Sequence, residues 1–228
     1  YKIIGISRSK EKSKLRLKYK NNPLKKKNFK FYRLNINKDI NRIFKIIKKI
    51  DNPVFIIDFA GQGMVAESWN NPDQWFKTNV ISKINLIEGL KKIKIDKYIR
   101  ISTPEVYGSS NKMLLEENAD NPTTPYALTH STIDKYLKLQ KKEFNFPVLI
   151  LRFSNFYGEY QPIYRIIPKT IVSVLKGKKL SLHGGGLSSR SFIYIDDFSK
   201  AIFKAINLKK QKQIVINISS KEIITIKD

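Results

Sequence analysis

Between Ser102 and His130 the chain carries a hydroxyl at Thr103, a carboxylate at Glu105, a phenol at Tyr126 and an imidazole at His130. Tyr126 and His130 are four residues apart at the start of an expected helix, so they share a face. A phenol there can exchange a proton with an alcohol, provided a neighbouring cation or donor lowers its pKa from about 10. Thr103 can hydrogen-bond the same alcohol. Glu105 can take a proton from a carbon beside a carbonyl. The same residue types also serve as packing, capping and surface groups, so their chemistry depends on the elements that hold them.

Those elements follow from periodicity. Residues 1–6 read as a strand ending at Gly5-Ile6-Ser7-Arg8-Ser9, and a lysine-rich excursion over 10–30 reads as a loop or short helix. Phe29–Leu34 is the next strand, ending at Asn35-Ile36. Apolar residues at Ile40, Ile43, Phe44, Ile47 and Ile50 mark one face of a helix. Val54–Ala60 is a continuous apolar run, the pattern of a strand covered on both sides. A long helix over about Asp73–Lys92 follows, then a strand into Ser102, a helix from Tyr126 to about Phe144 and a strand over Pro147–Arg152. Further on, Ile166–Leu175 reads as helix, Leu180–His183 and Phe192–Ile195 as strands, Asp196–Leu208 as helix and Ile214–Ile218 as a last strand. This alternation predicts an α/β fold with a doubly wound parallel sheet, in which ligands bind outside the carboxyl ends of the strands. The expected division is a cofactor-binding domain over 1–160 and a smaller, partial substrate-binding portion over 161–228 with elements returning to the sheet.

Composition narrows the class. The 228 residues include no cysteine, so disulfides are excluded and a cytoplasmic setting is expected. No apolar run reaches the ~18 residues of a membrane span. Forty-four Lys and Arg against 19 Asp and Glu give a net charge of +25. The lysines are spread along the chain and do not interleave with aromatics in a nucleic-acid-binding pattern, so the excess reads as solvated surface. No His, Cys or Asp cluster has metal-ligand spacing, and no metal is expected.

Six stretches together resemble the extended short-chain dehydrogenase/reductase family, and within it the nucleotide-sugar 4,6-dehydratases. They are Phe59-Ala60-Gly61-Gln62; Ser68 through Asn71-Pro72 to Thr78-Asn79-Val80; Ser102-Thr103-Pro104-Glu105-Val106-Tyr107-Gly108; Pro125-Tyr126-Ala127; Leu151-Arg152-Phe153-Ser154-Asn155-Phe156-Tyr157-Gly158; and Arg190-Ser191-Phe192-Ile193-Tyr194-Ile195-Asp196-Asp197. The resemblance implies a Rossmann-like fold and a bound nicotinamide cofactor that takes hydride from C4 of a nucleotide-diphosphate sugar. Tyr126 would accept the C4 hydroxyl proton with help from Thr103. Glu105 would remove the C5 proton as water leaves from C6, and hydride would return to C6. A Glu at this place favours a dehydratase, a lyase of polysaccharide biosynthesis. An epimerase or reductase of the same family, or a non-catalytic binding relative, is the alternative.

The resemblance also implies binding residues. Ser7, Arg8, Asn35, Ile36, Phe59, Ala60, Gly61, Ser102, Tyr126 and His130 match cofactor-binding places. Ser7 stands where an acidic residue would hold an NAD 2′-hydroxyl, and Arg8 can pair with a 2′-phosphate, which favours NADP with NAD as the alternative. Asn155, Arg190 and Arg165 match or flank the places that meet the nucleotide diphosphate. A homodimer through the two long helices is expected of the full-length protein.

Three departures stand out. Pro104 replaces the Asp of the dTDP-glucose branch or the Ser of the GDP-mannose branch. His130 replaces the lysine of Tyr-x-x-x-Lys, and as an ordinary histidine it would be partly charged near neutrality. The Gly-rich pyrophosphate turn is not in the chain and is expected to lie before Tyr1.

Overall fold

The computed structural model describes residues 1–12, 17, 20, 22–51, 53–110, 112–209 and 213–227. The lysine-rich excursion over 10–30 lies partly outside them. In chain order the elements are β1 (Ile3–Ser7), α1 (Pro23–Lys27), β2 (Phe29–Arg33), α2 (Ile40–Ile47), β3 (Phe55–Asp58), α3 (Glu67–Asn70) and α4 (Pro72–Trp75). A π-helical stretch (Phe76–Ile81) leads into α5 (Ser82–Leu90), followed by β4 (Lys97–Ser102), a 3-10 turn (Pro104–Tyr107) and α6 (Pro125–Phe144). Then come β5 (Val148–Phe153), β6 (Asn155–Tyr157), α7 (Ile166–Leu175), a 3-10 turn (His183–Gly186), β7 (Ser189–Arg190), β8 (Phe192–Tyr194), α8 (Ile195–Asn207), β9 (Val215–Ile218) and β10 (Ile224–Thr225).

Local chemistry sets the boundaries. Helix α6 begins where Thr124 Oγ1 accepts a hydrogen bond from Ala127 N (3.1 Å) and Pro125 takes the first turn. It ends at Asn145 in the left-handed region (φ 50°). The long helix expected over 73–92 is helical over 72–90, with its middle in π form. The strand expected at Leu180–His183 does not form. Gly184, Gly185 and Gly186 all take positive φ and turn the chain back at once.

Strands β3, β4, β5 and β9 form a parallel sheet in the order β3-β4-β5-β9. Strands β1 and β2 form a separate parallel pair. Strands β1 and β3 are not paired with each other. Tyr1, just before β1, meets Phe55 edge-on, and Arg8, just after β1, donates to Gln62 Oε1 (2.9 Å) beyond the end of β3.

Two apolar layers cover the four-stranded sheet. On one face, Tyr98, Val148 and Ile150 pack with Ile43 and Ile47 of α2, Leu86, Ile87 and Leu90 of α5, and Ile133 and Leu137 of α6. On the other, Ile99, Leu149, Leu151 and Phe153 pack with Phe198, Ile202 and Ala205 of α8. Adjacent strand residues alternate between the layers, as the pleat requires.

Candidate active site at the carboxyl ends of the parallel strands

Strand parity builds the site. On the α5/α6 face the apolar residues give way, toward the strand ends, to Asp58 on β3, Arg100 and Ser102 on β4, and Arg152 on β5, all buried. The parallel register aligns them, with Asp58 beside Arg100 and Ser102 beside Arg152. The helices above supply buried partners: Lys83 from α5, and His130 and Asp134 from α6. Burying so many charges is tolerated only when they are paired.

The pairing has two halves. In the first, Asp58 Oδ1 holds Lys83 Nζ, while Asp58 Oδ2 accepts from Tyr98 Oη (2.6 Å) and Arg100 Nη1 (3.3 Å). Arg100 Nη2 lies 3.1 Å from His130 Nδ1. In the second, Asp134 Oδ2 accepts from Ser102 Oγ (2.8 Å) and Arg152 Nε (3.1 Å), and Arg152 Nη2 reaches Asp120 Oδ1 (3.0 Å). The Arg152 guanidinium also lies 4.6 Å from the centroid of the Tyr107 ring.

Protonation follows from burial and neighbours. The Asp58 carboxyl is held below its ordinary value, because its two cations and its hydrogen bonds together outweigh burial. Burial pushes the Lys83 amine down to about 8, against the pull of Asp58. Burial raises Asp134 despite its arginines. His130 is pushed well below 6.5, first by burial and then by Arg100 and Lys83. This runs against the expectation of a partly charged imidazole, since burial and the two neighbouring cations favour the neutral form. An arginine only donates, so Nδ1 is the acceptor and Nε2 carries the proton. Among the described residues Nε2 has no hydrogen-bond partner.

The expected reacting groups gather beside this layer. Thr103 is buried at the head of the 3-10 turn, where its Oγ1 accepts from Glu105 N (3.2 Å). The Thr103 hydroxyl faces the Tyr126 phenol and lowers it. Tyr126 and His130 share one face of α6, their rings tilted with centroids 4.5 Å apart. The phenol sits above its ordinary value because burial outweighs the lowering by Thr103 and Arg100; the charge of Glu105 raises it further. Ser68 Oγ accepts from Tyr126 N (3.1 Å), which fixes where α6 enters the site.

The residues expected to meet a cofactor line the same edge. Ser7, Arg8, Phe59, Ala60 and Gly61 are exposed at the ends of β1 and β3, and Asn35 and Ile36 follow β2 half-buried. Ser102 is buried and committed to Asp134. The 59–62 loop is held by Asn79 of the π-helical stretch, whose Oδ1 accepts from Gln62 N (2.7 Å) and whose Nδ2 donates to Gln62 O (3.1 Å) and Thr129 Oγ1 (3.1 Å). On the substrate side Asn155, Arg165 and Arg190 are exposed. Arg165 is near enough to lower Tyr126. Asn155 on β6 pairs with Phe192 on β8, two residues beyond Arg190.

Sequence reasoning passed over Asp58, Lys83, Arg100, Asp134 and Arg152. The signal was present in the strands: a charged residue at the same parity near the end of three apolar runs.

Comparison with known proteins agrees with this architecture. The model of the NAD dependent epimerase/dehydratase family matches residues 1–219. The dTDP-D-glucose 4,6-dehydratase of Dictyostelium discoideum is 35% identical over 195 residues, 78% of this chain and 43% of the relative. The human dTDP-D-glucose 4,6-dehydratase is 30% identical over 192 residues, 83% of this chain and 54% of the relative. The chain thus spans about half the length of these curated relatives. Among solved structures, a UDP-glucuronic acid 4-epimerase from Bacillus cereus, in complex with UDP-glucuronic acid and NAD, superposes with a TM-score of 0.83 at 30% identity, over 99% of this chain and 71% of that one. A dTDP-glucose 4,6-dehydratase from Bacillus anthracis, in complex with NAD, gives 0.82 at 31% identity, over 99% and 69%. With the parallel sheet, the Tyr126–Thr103 pair and these matches in agreement, the chain belongs to the NAD-dependent epimerase/dehydratase family.

Proposed function

We propose that the protein is a nucleotide-sugar 4,6-dehydratase. The observation that carries this is the grouping of Tyr126 with Thr103 and Glu105, both of which act on its phenol from the turn at the end of β4. In this reading Tyr126 accepts the proton of the sugar C4 hydroxyl, and Thr103 steadies the phenol oxygen. Glu105 removes the C5 proton once C4 is a ketone, as the C6 hydroxyl leaves. A bound nicotinamide cofactor supplies hydride acceptance and return. Pro104 has no side-chain donor for the leaving hydroxyl, so that proton must come from another group or from water.

The chemistry of the donor set fits such a cofactor at the strand ends. Among the described residues Ser154 Oγ is buried without a partner, and His130 Nε2 is a lone donor suited to a ribose hydroxyl. Exposed backbone at Ala60 and Gly61 suits close approach. We assign NADP over NAD because Ser7, not a carboxylate, ends β1 and the exposed Arg8 follows it, its side chain hydrogen-bonded among the described residues to the neutral Gln62. Solved relatives hold NAD, so binding of both cofactors to wild type and Arg8→Ala tests this assignment: the variant should lose affinity for NADP alone.

Asn155, Arg165 and Arg190 are the proposed contacts to the nucleotide diphosphate. Exposed Ile81, Leu128 and Leu139 on the two long helices suit a homodimer. The cytoplasm and cell-surface polysaccharide synthesis are the proposed setting. The deciding experiment gives the full-length protein NADP or NAD and a panel of dTDP-, UDP- and GDP-sugars. A 4-keto-6-deoxy product that disappears in Tyr126→Phe, and falls at least 100-fold in Glu105→Gln by loss of the base, supports the reading. A C4 epimer as sole product supports the epimerase instead. Bound cofactor without turnover on any sugar refutes both.

A further inference from the structure

A phenol that exchanges a proton near neutral pH needs a fixed positive charge or strong donors close by, because burial alone drives it the wrong way. His130 lies against the Tyr126 ring but is held neutral. The charge must come from elsewhere, and the buried layer contains it.

We propose that Arg100 is the positioning residue for Tyr126: it supplies the fixed charge behind the phenol and locks His130, which lies between them, as the neutral Nε2–H tautomer. This rests on the reading of Tyr126 as the proton acceptor. Three observations carry it. First, the layer is electrostatically divided. One carboxylate, Asp58, faces two cations, Lys83 and Arg100, while one guanidinium, Arg152, faces two carboxylates, Asp134 and Asp120. The uncompensated positive half is the one that touches His130. Second, Arg100 is not used up by its partners. Its Nη1 contact with Asp58 is long at 3.3 Å, its Nη2 goes to His130, and its buried Nε has no partner among the described residues. Third, the guanidinium cannot lose its proton, so its charge is constant across the working pH range. An imidazole at the same place would switch its charge off near pH 6.5.

The groups facing this pair come from every neighbouring element. They are Asp58 of β3, Lys83 of α5, Tyr98 on β4 itself, Glu105 of the 3-10 turn, Asp134 on α6 and Arg165 before α7. Glu105 opposes Arg100 at the phenol, while Arg165 assists from the substrate side. Arg100 acts from behind, inside the fold, where water does not screen it.

The chain contains two histidines, His130 and His183, which makes the test direct. The intact full-length protein is labelled with 15N-histidine, and His183→Gln assigns the His130 signals. In the wild type, Nδ1 should show the unprotonated, Nε2 the protonated resonance, unchanged from about pH 8 to pH 5.5. In Arg100→Met the lock is lost, and His130 should titrate or exchange tautomers; Arg100→Lys should keep a charge but not the planar fork. In parallel, the acid limb of kcat should move up by about one pH unit in Arg100→Met, the low end of the shift that loss of a nearby opposite charge produces. It should return to within about half a unit in Arg100→Lys, with KM little changed in both.

Wild-type His130 titrating near 6.5 overturns the proposal, as does an Arg100→Met enzyme with unaltered tautomer and acid limb. If Arg100→Met does not fold, the wild-type titration and Arg100→Lys still decide. If no sugar is turned over, the dehydratase reading falls, and the nitrogen spectra report on the Arg100–His130 lock independently.

Discussion

Replacing Arg152 by Met tests whether the buried layer holds the fold as its geometry implies. Arg152 is 1% exposed and spans two carboxylates, Asp134 at 3.1 Å and Asp120 at 3.0 Å. Met fills much of the volume but cancels neither charge. Asp134 would keep only the Ser102 hydroxyl on Oδ2, with Oδ1 already lacking a partner. Breaking a buried pair on one side costs about 3–5 kcal/mol. At roughly 2–4 °C per kcal/mol for a protein of this size, Tm falls by about 6–20 °C. The loss depends on pH in a definite direction. Burial already raises Asp134 above 3.8, so the folded state binds more protons than the unfolded state between the two values. Stability therefore falls as pH rises through that window. Without Arg152 the folded value climbs further and the window widens upward, so the variant loses more at pH 8 than at pH 5. Urea unfolding of both proteins at the two pH values measures this. Adding Asp134→Asn should recover part of the loss at pH 8, because the stranded charge is gone. A single-variant loss below about 1 kcal/mol, or one equal at both pH values, would refute the claim that the pair is buried and ionised.

Two further predictions come from the same region. Lys83 has a folded value near 8 against an ordinary 10.5, so the unfolded state binds more protons between them and wild-type stability should rise from pH 8 to 10.5. At roughly 1.4 kcal/mol per unit the rise is at most about 3.5 kcal/mol; Lys83→Met should abolish it, read by chemical unfolding along that range. Gly108 closes the 3-10 turn at φ 72°, and an added Cβ would sit 2.4 Å from the Asn121 backbone oxygen. Gly108→Ala should cost about 2–4 kcal/mol through strain and displacement of this turn, with turnover falling more than Tm suggests because Glu105 moves with the turn.

Much of this protein was legible locally. Apolar periodicity located the helices over 40–47, 125–144, 166–175 and 195–207 and the strands at 97–102 and 148–153 within a few residues. Caps and glycines explain the ends. The strand expected at 180–183 did not form, and the three glycines that follow it, Gly184, Gly185 and Gly186, take left-handed backbone, a property that hydrophobicity does not report. The proposed reacting groups were visible too, since Thr103, Glu105 and Tyr126 sit at element ends.

Chain order and residue type alone thus determined the alternation of strands and helices, the family signature and which groups stand at the strand ends. Tertiary structure decided their charge states. Whether His130 is neutral depends on Arg100, 30 residues earlier, and Arg100 depends on Asp58, 42 residues before it. Those contacts exist only because parallel register sets two strands side by side and helix α6 lies across them. Electrostatic energy is a function of distance and burial, and neither is written in any local pattern.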